Sequence, residues 1–207
     1  MFYKTILAAF LFFGVYLGVS FFQLRGQLFE VYNVPANQII GPEGADLTVV
    51  EFALYSCDTC RELQVPFRAA MARDGKVRYI PRPIAFEKDH PGQADFVRVT
   101  YAAAKQGKFE ETFHYLMDNK FAVLDEVQIA QLSAEAGLDI IKLKEDMNSP
   151  DVEAALIENE KFYEMWGFTT VPVFLMGSKA IYRIRSSDEV PTEDEFLEMF
   201  EKARSFF

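Results

Sequence analysis

Hydrophobic and polar positions follow two different periods along the chain, and the change of period predicts the order of the secondary-structure elements. Apolar, β-branched and aromatic runs predict four strands, at 47–55, 76–84, 171–176 and 180–184. Apolar positions at helical spacing predict a helix after residue 57, a helical block at 91–166, and a C-terminal amphipathic helix. When the block is set aside, a small α/β unit remains. The pattern therefore indicates helices inserted into an α/β host fold.

Two of these helices carry local signals of their own. In the first, Leu63, Phe67 and Ala70 share one face and should pack inward, and Pro66 should kink the helix because it lacks a backbone N–H. The C-terminal helix begins with a capping box formed by Thr192 and Glu195. Its apolar positions predict a buried face made by the residues Phe196, Met199, Phe200 and Ala203.

The N-terminus has a different composition from the rest of the chain. Residues 5–24 form a run of 20 residues without a charge, which is long enough to cross a bilayer. Bulky residues follow this run where a signal peptidase would require small ones, so we expect a retained transmembrane helix within 1–25 rather than a cleaved signal. Residues 26–46 contain two prolines and several glycines and are typical of a tether leading into the domain.

The charges around this segment predict its orientation. Lys4 and the α-amine precede the apolar run, whereas Arg25 and then acidic residues follow it, and this small difference favours an N-terminus inside the cell and an exported domain. Disulfides persist in exported proteins, so this orientation is compatible with thiol chemistry. Gly14 and Gly18 have the Gly-x-x-x-Gly spacing and are a candidate face for homodimerisation within the membrane.

Composition and charge narrow the classes of function. The chain has 207 residues, of which 50% are hydrophobic, so it can bury a sizeable core. Its formal net charge is −10, and it has no cluster of Lys and Arg. Nucleic-acid binding depends on such clusters, so we expect no nucleic-acid partner.

The two cysteines, Cys57 and Cys60, are three positions apart where the first predicted strand meets the first predicted helix. A helix N-terminus stabilises a thiolate through its dipole and free N–H groups. A second cysteine one turn later can resolve a mixed disulfide. The sequence predicts a redox pair in which Cys57 is the exposed nucleophile and Cys60 the more buried resolving thiol, with no dissociable cofactor.

Other functions for this pair are open at this point. A structural zinc site needs four ligands, whereas the chain offers one Cys pair and two separated histidines, His90 and His114, so we predict no such metal site. The alternatives are a tethered chaperone or binding module with a structural disulfide, and a thiolate protein that handles a metal such as copper(I).

Two stretches of the chain carry a family resemblance. The segment "IIGPEGADLTVVEFALYSCDTCRELQVPF" resembles the entrance to the active site of DsbA-family thioredoxin-fold proteins, and "FTTVPVFLMG", far downstream, is similar to their cis-proline loop. The resemblance covers about residues 39–205. It implies an α/β thioredoxin fold made of 47–90 and 167–207, with an inserted helical domain at 91–166, preceded by one N-terminal transmembrane helix.

The resemblance also implies roles for residues outside the cysteine pair. Pro172 would be cis, and Thr170, Val171 and Pro172 would dock an extended substrate segment beside the cysteines. Glu51 would assist proton transfer to or from Cys60, for which a buried carboxyl with a raised pKa is suited. The implied activity is thiol-disulfide exchange on cysteine-containing exported proteins, with a DsbB-like oxidase or a DsbD-like reductase as membrane partner. The implied location is the cytoplasmic (inner) membrane, with a single span and the catalytic domain on the periplasmic side.

The dipeptide between the cysteines departs from the strong oxidants of that family, which carry Pro-His there. Here it is Asp58-Thr59, so both residues are predicted to tune the redox pair. A neighbouring anion disfavours a second one, so Asp58 predicts a less acidic Cys57 and a less oxidising disulfide. Val171, before the proline, resembles the choice of oxidase-like members and points the other way. The sequence therefore leaves the net direction of electron flow open.

Overall fold

The computed structural model describes residues 26, 29–177 and 180–205. The chain divides into two compact units, 1–33 and 34–207. The membrane anchor predicted at 1–25 and the Gly14/Gly18 face lie outside the described residues. Among the helices that are described, none is long and apolar enough to cross a membrane.

A mixed four-stranded sheet lies at the centre of the second unit. Its strands are β1 (Leu47–Ala53), β2 (Val77–Pro83), β3 (Val173–Met176) and β4 (Ala180–Arg183), in the order β2-β1-β3-β4. β1 pairs in parallel with β2, and β3 is antiparallel to both β1 and β4. The four strands predicted from the sequence are therefore confirmed, each slightly shorter than its apolar run.

The pairing places three strand ends at one end of the sheet. The last residue of β1, Ala53, pairs with the last residue of β2, Pro83. Phe52 of β1 pairs with Val173, the first residue of β3. The chain therefore leaves β2 and returns into β3 at the end where β1 delivers the cysteine segment.

Most of the remaining described residues are in α-helices. Two follow β1, five lie between β2 and β3, and one closes the chain. Their bounds are α1 (Asp58–Glu62), α2 (Gln64–Asp74), α3 (Gln93–Ala104), α4 (Phe109–Asp118), α5 (Glu126–Ala136), α6 (Ile140–Met147), α7 (Pro150–Met165) and α8 (Glu193–Arg204). The predicted helical block is confirmed as α3 to α7. The predicted capping box at Thr192 and Glu195 is also present at the start of α8.

The first predicted helix is interrupted, but not at its proline. α1 ends at Glu62, and Leu63 is the joint at which α2 begins. Pro66 lies in the first turn of α2, where a missing N–H costs little. It cannot donate to the carbonyl four residues earlier, that of Glu62, so the break lies upstream of the proline rather than at it.

Aromatic side chains join α2, α8 and the sheet into one core. The ring of Phe67, on α2, lies 4.9 Å from that of Tyr79 and 5.2 Å from those of Phe174 and Phe196. Leu63 and Ala70 are also fully buried, as predicted for that face of the helix. Four residues predicted for the inner face of α8, Phe196, Met199, Phe200 and Ala203, are buried as well.

A buried arginine fastens the helical block to β2. Arg82 donates to Asn159 at 2.9 Å and to Glu158 at 3.3 Å, both on α7. Its guanidinium lies 4.8 Å from the ring centre of Phe162. Asn159 in turn donates to the carbonyl of Pro83 at 2.8 Å. Charged and polar groups buried in this way are tolerated because they are paired.

Candidate active site

Cys57 and Cys60 form a disulfide at the point where β1 leads into α1. Their Cα atoms are 5.2 Å apart. Cys57 is the N-cap of α1, and its Sγ accepts a hydrogen bond from the backbone N–H of Cys60 at 3.1 Å. Cys60 is fully buried, whereas Cys57 is half-buried. The difference in exposure predicted for the two cysteines is therefore confirmed.

The distant proline segment lies directly beside this disulfide. The Val171–Pro172 peptide bond is cis, as the resemblance implied. The carbonyl oxygen of Val171 lies 3.9 Å from Sγ of Cys57, although 114 positions separate the two residues. Thr170 is exposed next to them. The pairing of β1 with β3 explains this approach, since Cys57 follows one strand and Pro172 precedes the other.

Glu51 is completely buried in the centre of β1. Its Oε2 accepts hydrogen bonds from the hydroxyl of Tyr79 and from Nε2 of Gln64, the latter at 3.0 Å. Both donors are uncharged. Oε1 of Glu51 and Oε1 of Gln64 have no hydrogen-bond partner among the described residues. The carboxyl therefore lies in a neutral, incompletely satisfied network.

This environment changes the proton affinity of Glu51. Burial raises its pKa from 4.5 to about 7, and the hydrogen bonds from Tyr79 and Gln64 act in the opposite direction. A carboxylate that loses its hydration without gaining a cation holds its proton to higher pH. Glu51 can thus be protonated or ionised near neutral pH, which is the range in which thiols exchange protons.

The two residues between the cysteines contact two other parts of the chain. Asp58 Oδ1 accepts from Nζ of Lys120, in the loop after α4, at 2.5 Å. This hydrogen bond lowers the pKa of Asp58. The hydroxyl of Thr59 lies 3.5 Å from that of Ser187, in a short 3₁₀ turn before α8. The dipeptide is therefore bordered by both the helical block and the C-terminal segment.

A groove lies next to Val171. It has a volume of about 350 Å³, and its lining includes Leu54, Phe86, His90, Tyr163 and Thr170. The lining combines apolar with polar side chains, which suits a segment of peptide chain.

Several aromatic residues that flank the cysteines in sequence belong to the core instead of this surface. Phe52, Tyr55 and Phe168 are buried, and Trp166 is half-buried. Phe52 packs its ring 5.8 Å from that of Phe168. Core packing therefore explains these residues better than substrate binding does.

The two histidines line two different cavities. His90 is exposed at the edge of the groove. His114 lines a separate cavity of about 670 Å³, together with Gly41, Arg68, Met71 and Glu110. This larger cavity contains none of the cysteine-site residues. Within the part of the chain that is described, no group of three or more His, Cys, Asp or Glu residues could hold a metal ion.

Sequence reasoning missed three residues of the site, namely Gln64, Tyr79 and Lys120. Gln64 and Tyr79 lie on elements predicted correctly, but nothing local marks them as partners of a glutamate. Lys120 lies in a loop between two helices, and its approach to Asp58 depends entirely on how α4 packs.

A comparison with protein families identifies the family to which this chain belongs. The sequence model of a family described as thioredoxin matches residues 33–201, which is most of the chain. The chain belongs to this thioredoxin family.

Solved structures of thioredoxin-like proteins share the fold. A thioredoxin-like oxidoreductase from Silicibacter pomeroyi DSS-3 is 27% identical, with a TM-score of 0.71 over 87% of this chain and 98% of that one. The catalytic domain of Proteus mirabilis ScsC is 20% identical, with a TM-score of 0.73 over 88% and 97%. The thiol-disulfide exchange protein alpha-DsbA2 from Wolbachia pipientis is 17% identical, with a TM-score of 0.69 over 89% and 92%. The predicted thioredoxin fold is confirmed.

Curated relatives of this thioredoxin-family chain are much longer proteins. The Na(+)/H(+) antiporter NhaA of Herminiimonas arsenicoxydans is 28% identical over 78% of this chain, which is 25% of that protein. NhaA 3 of Salinispora tropica is 24% identical over 69% of this chain and 22% of its own length. The chain thus spans about a quarter of the length of these relatives.

Proposed function

We propose that the chain is an exported, membrane-tethered thiol-disulfide oxidoreductase that exchanges disulfides with cysteine-containing exported proteins. The observation that carries this proposal is the approach of Sγ of Cys57 to the carbonyl of Val171, at 3.9 Å, beside a half-buried disulfide. An extended substrate segment paired with the backbone at Val171 would present its own sulfur to Cys57.

The exchange conserves two electrons. A substrate thiolate attacks Sγ of Cys57, the Cys57–Cys60 bond breaks, and Cys60 leaves with the electron pair and takes up a proton to become a thiol. The second substrate thiolate then attacks the substrate sulfur of the mixed disulfide and releases Cys57 as a thiolate. The substrate dithiol becomes a disulfide and the protein disulfide becomes a dithiol. With a substrate disulfide and the reduced protein, the same steps run in reverse.

Burial determines how each sulfur contributes. Cys57 is half-buried and accepts the N–H of Cys60, which stabilises its thiolate. Cys60 is fully buried, so a charge on its sulfur is costly and its departure requires a proton. Protonated Glu51 is the group that we propose to supply that proton, and its carboxylate would take the proton back during the reverse reaction.

The groove beside Val171 would hold residues of the substrate that adjoin the reacting cysteine. The side chains of Leu54, Phe86 and Tyr163 in its lining suit a hydrophobic side chain of an unfolded protein. Thr170 is exposed at the same edge and would contact the substrate backbone.

Two observations support the proposed location. Residues 5–24 carry no charge over 20 positions, and the curated relatives are named as antiporters, which are membrane proteins. A DsbA-like catalytic domain suits the extracytoplasmic side. Turnover would then require a membrane redox partner, either a DsbB-like oxidase or a DsbD-like reductase, according to the potential of the Cys57–Cys60 pair.

Two cysteine variants test the activity in the full chain purified in detergent. Wild type should catalyse insulin reduction by dithiothreitol, Cys57→Ser should lose this activity, and Cys60→Ser should accumulate a mixed disulfide through Cys57. Undiminished activity in Cys57→Ser would exclude the proposal. Catalysis that is absent from wild type, together with suppression of client aggregation, would indicate a binding module instead. Stoichiometric copper(I) after anaerobic purification, lost in Cys57→Ser, would indicate metal handling.

A further inference from the structure

The loop after α4 brings a cation to the dipeptide between the cysteines. Nζ of Lys120 lies 2.5 Å from Oδ1 of Asp58, and both side chains are 61% exposed. An exposed ion pair of this kind is screened by water and contributes little to folding. Its significance therefore depends on the position of Asp58, which directly follows Cys57 in the chain.

Two arginines, one on α1 and one on α2, hydrogen-bond to the end of α4, where this loop begins. Nη1 of Arg61, on α1, donates to the carbonyl of Leu116 near the end of α4 at 3.2 Å. Arg68, on α2, holds Asp118, the last residue of α4, with two hydrogen bonds at 3.0 and 2.5 Å. Lys120 follows two residues later. The end of α4 is thus held against α1, which carries the cysteines, and against α2, which follows it.

The other charges near α1 do not replace this cation. Arg61, on the same helix as Asp58, also lowers the pKa of Asp58 through its charge, but its guanidinium hydrogen-bonds to the Leu116 carbonyl and only Lys120 hydrogen-bonds to Asp58 among the described cations. Glu62 ends α1, and the 3₁₀ turn that packs against α1 contributes Asp188 and Glu189, which are acidic. Without Lys120, Asp58 would lose the larger part of its compensating charge and keep only the weaker effect of Arg61 in an acidic neighbourhood, and anions destabilise a nearby thiolate.

We propose that Lys120 is a positioning residue of the redox site, which neutralises Asp58 and thereby stabilises the thiolate of Cys57. This inference rests on the proposed thiol-disulfide activity and deepens it. It revises the expectation that Asp58 makes Cys57 less acidic, because the partner of Asp58 was not visible in the sequence. The helical block, through its loop, would set how oxidising the disulfide is.

The test uses the full chain and compares wild type with Lys120→Gln. The pKa of Cys57 is measured from the pH dependence of its alkylation by iodoacetamide, and the redox equilibrium is measured against glutathione. Lys120→Gln should raise the pKa of Cys57 by about half a unit and make the disulfide about threefold less oxidising, as expected for one surface charge. The difference should shrink in 1 M NaCl, where charges are screened over about 3 Å.

Two further variants make the test specific. Lys144→Gln removes a similarly exposed lysine that pairs with Glu126, away from the cysteines, and should leave both values unchanged. In an Asp58→Asn background, Lys120→Gln should have a smaller effect, because the ammonium has lost the carboxylate that holds it. Equal values for wild type and Lys120→Gln, or an equal change in Lys144→Gln, would overturn the inference. The alkylation measurement needs no catalysis, so it distinguishes this failure from inactivity in the insulin assay.

Discussion

Replacing Glu51 with Gln should make the protein more stable at alkaline pH, and the size of the gain follows from the burial of the carboxyl. In the folded state, burial raises the pKa of Glu51 from 4.5 to about 7. At about 1.4 kcal/mol for each pKa unit, this rise corresponds to roughly 3 kcal/mol of folding free energy.

The sign follows from proton binding. Between about pH 4.5 and 7 the folded protein holds a proton on Glu51 that the unfolded chain has released, so the free energy of unfolding falls as pH rises through this range. Glutamine does not titrate. Its amide oxygen can also accept the hydrogen bonds that Tyr79 and Gln64 donate to Oε2 of Glu51. The two proteins should therefore have similar stability near pH 4.5 and diverge above it.

Urea unfolding of the oxidised full chain at several pH values measures this difference. With the disulfide intact, the cysteines do not titrate, and every other ionisable group is common to both proteins. Glu51→Gln should exceed wild type by roughly 3 kcal/mol at pH 8.5. Glu135→Gln, on the exposed side of α5, is the matched control and should show no such divergence. A constant difference between Glu51→Gln and wild type from pH 4.5 to 8.5 would refute the reasoning.

Two further predictions concern positions away from the cysteines. In Gly41→Ala the new Cβ would lie 2.5 Å from the carbonyl of Val77 at a φ of +104°, so urea unfolding should show a loss of about 2 kcal/mol, whereas Gly44→Ala, with open space around its Cβ, should show almost none. Equal losses in the two variants would contradict the steric argument. Burial and the nearby Arg68 lower the pKa of His114 from 6.5 to about 4, so stability is lost as pH falls through this range. His114→Gln should remove part of that loss in melting curves between pH 7 and 4, and an unchanged acid sensitivity would count against it.

Local signals in the sequence were sufficient to predict the strands, the helices and the cysteine pair. The strands and helices have clear periods, the Thr192 capping box is a contiguous pattern, and the spacing of Cys57 and Cys60 defines one helical turn. Residues 168–177 carried enough of a family pattern to predict the cis bond before Pro172. Each of these features is contained within a short stretch of chain.

Features that depend on packing between distant segments were not predictable in the same way. β1 is buried on both faces, so its pattern could not show whether Glu51 is exposed or enclosed. The helix breaks at Leu63 because Pro66 cannot donate a backbone hydrogen bond. The sequence alone did not show at which residue the break would occur. The pairing of Lys120 with Asp58 spans 62 positions and depends on the orientation of α4.

The strand ends that flank the helical block have a consequence for how such proteins can vary. The chain departs after Pro83 and returns at Val173, and these two points border the same central strand, roughly 10 Å apart. The helical block at 91–166 can therefore vary without altering the pairing of β1 with β3, which brings Val171 to Cys57. Exchanging this block between relatives would leave the sulfur chemistry in place while replacing the loop that carries Lys120. The fold thus separates the residues that exchange disulfides from a helical block that can adjust the redox potential of the cysteine pair.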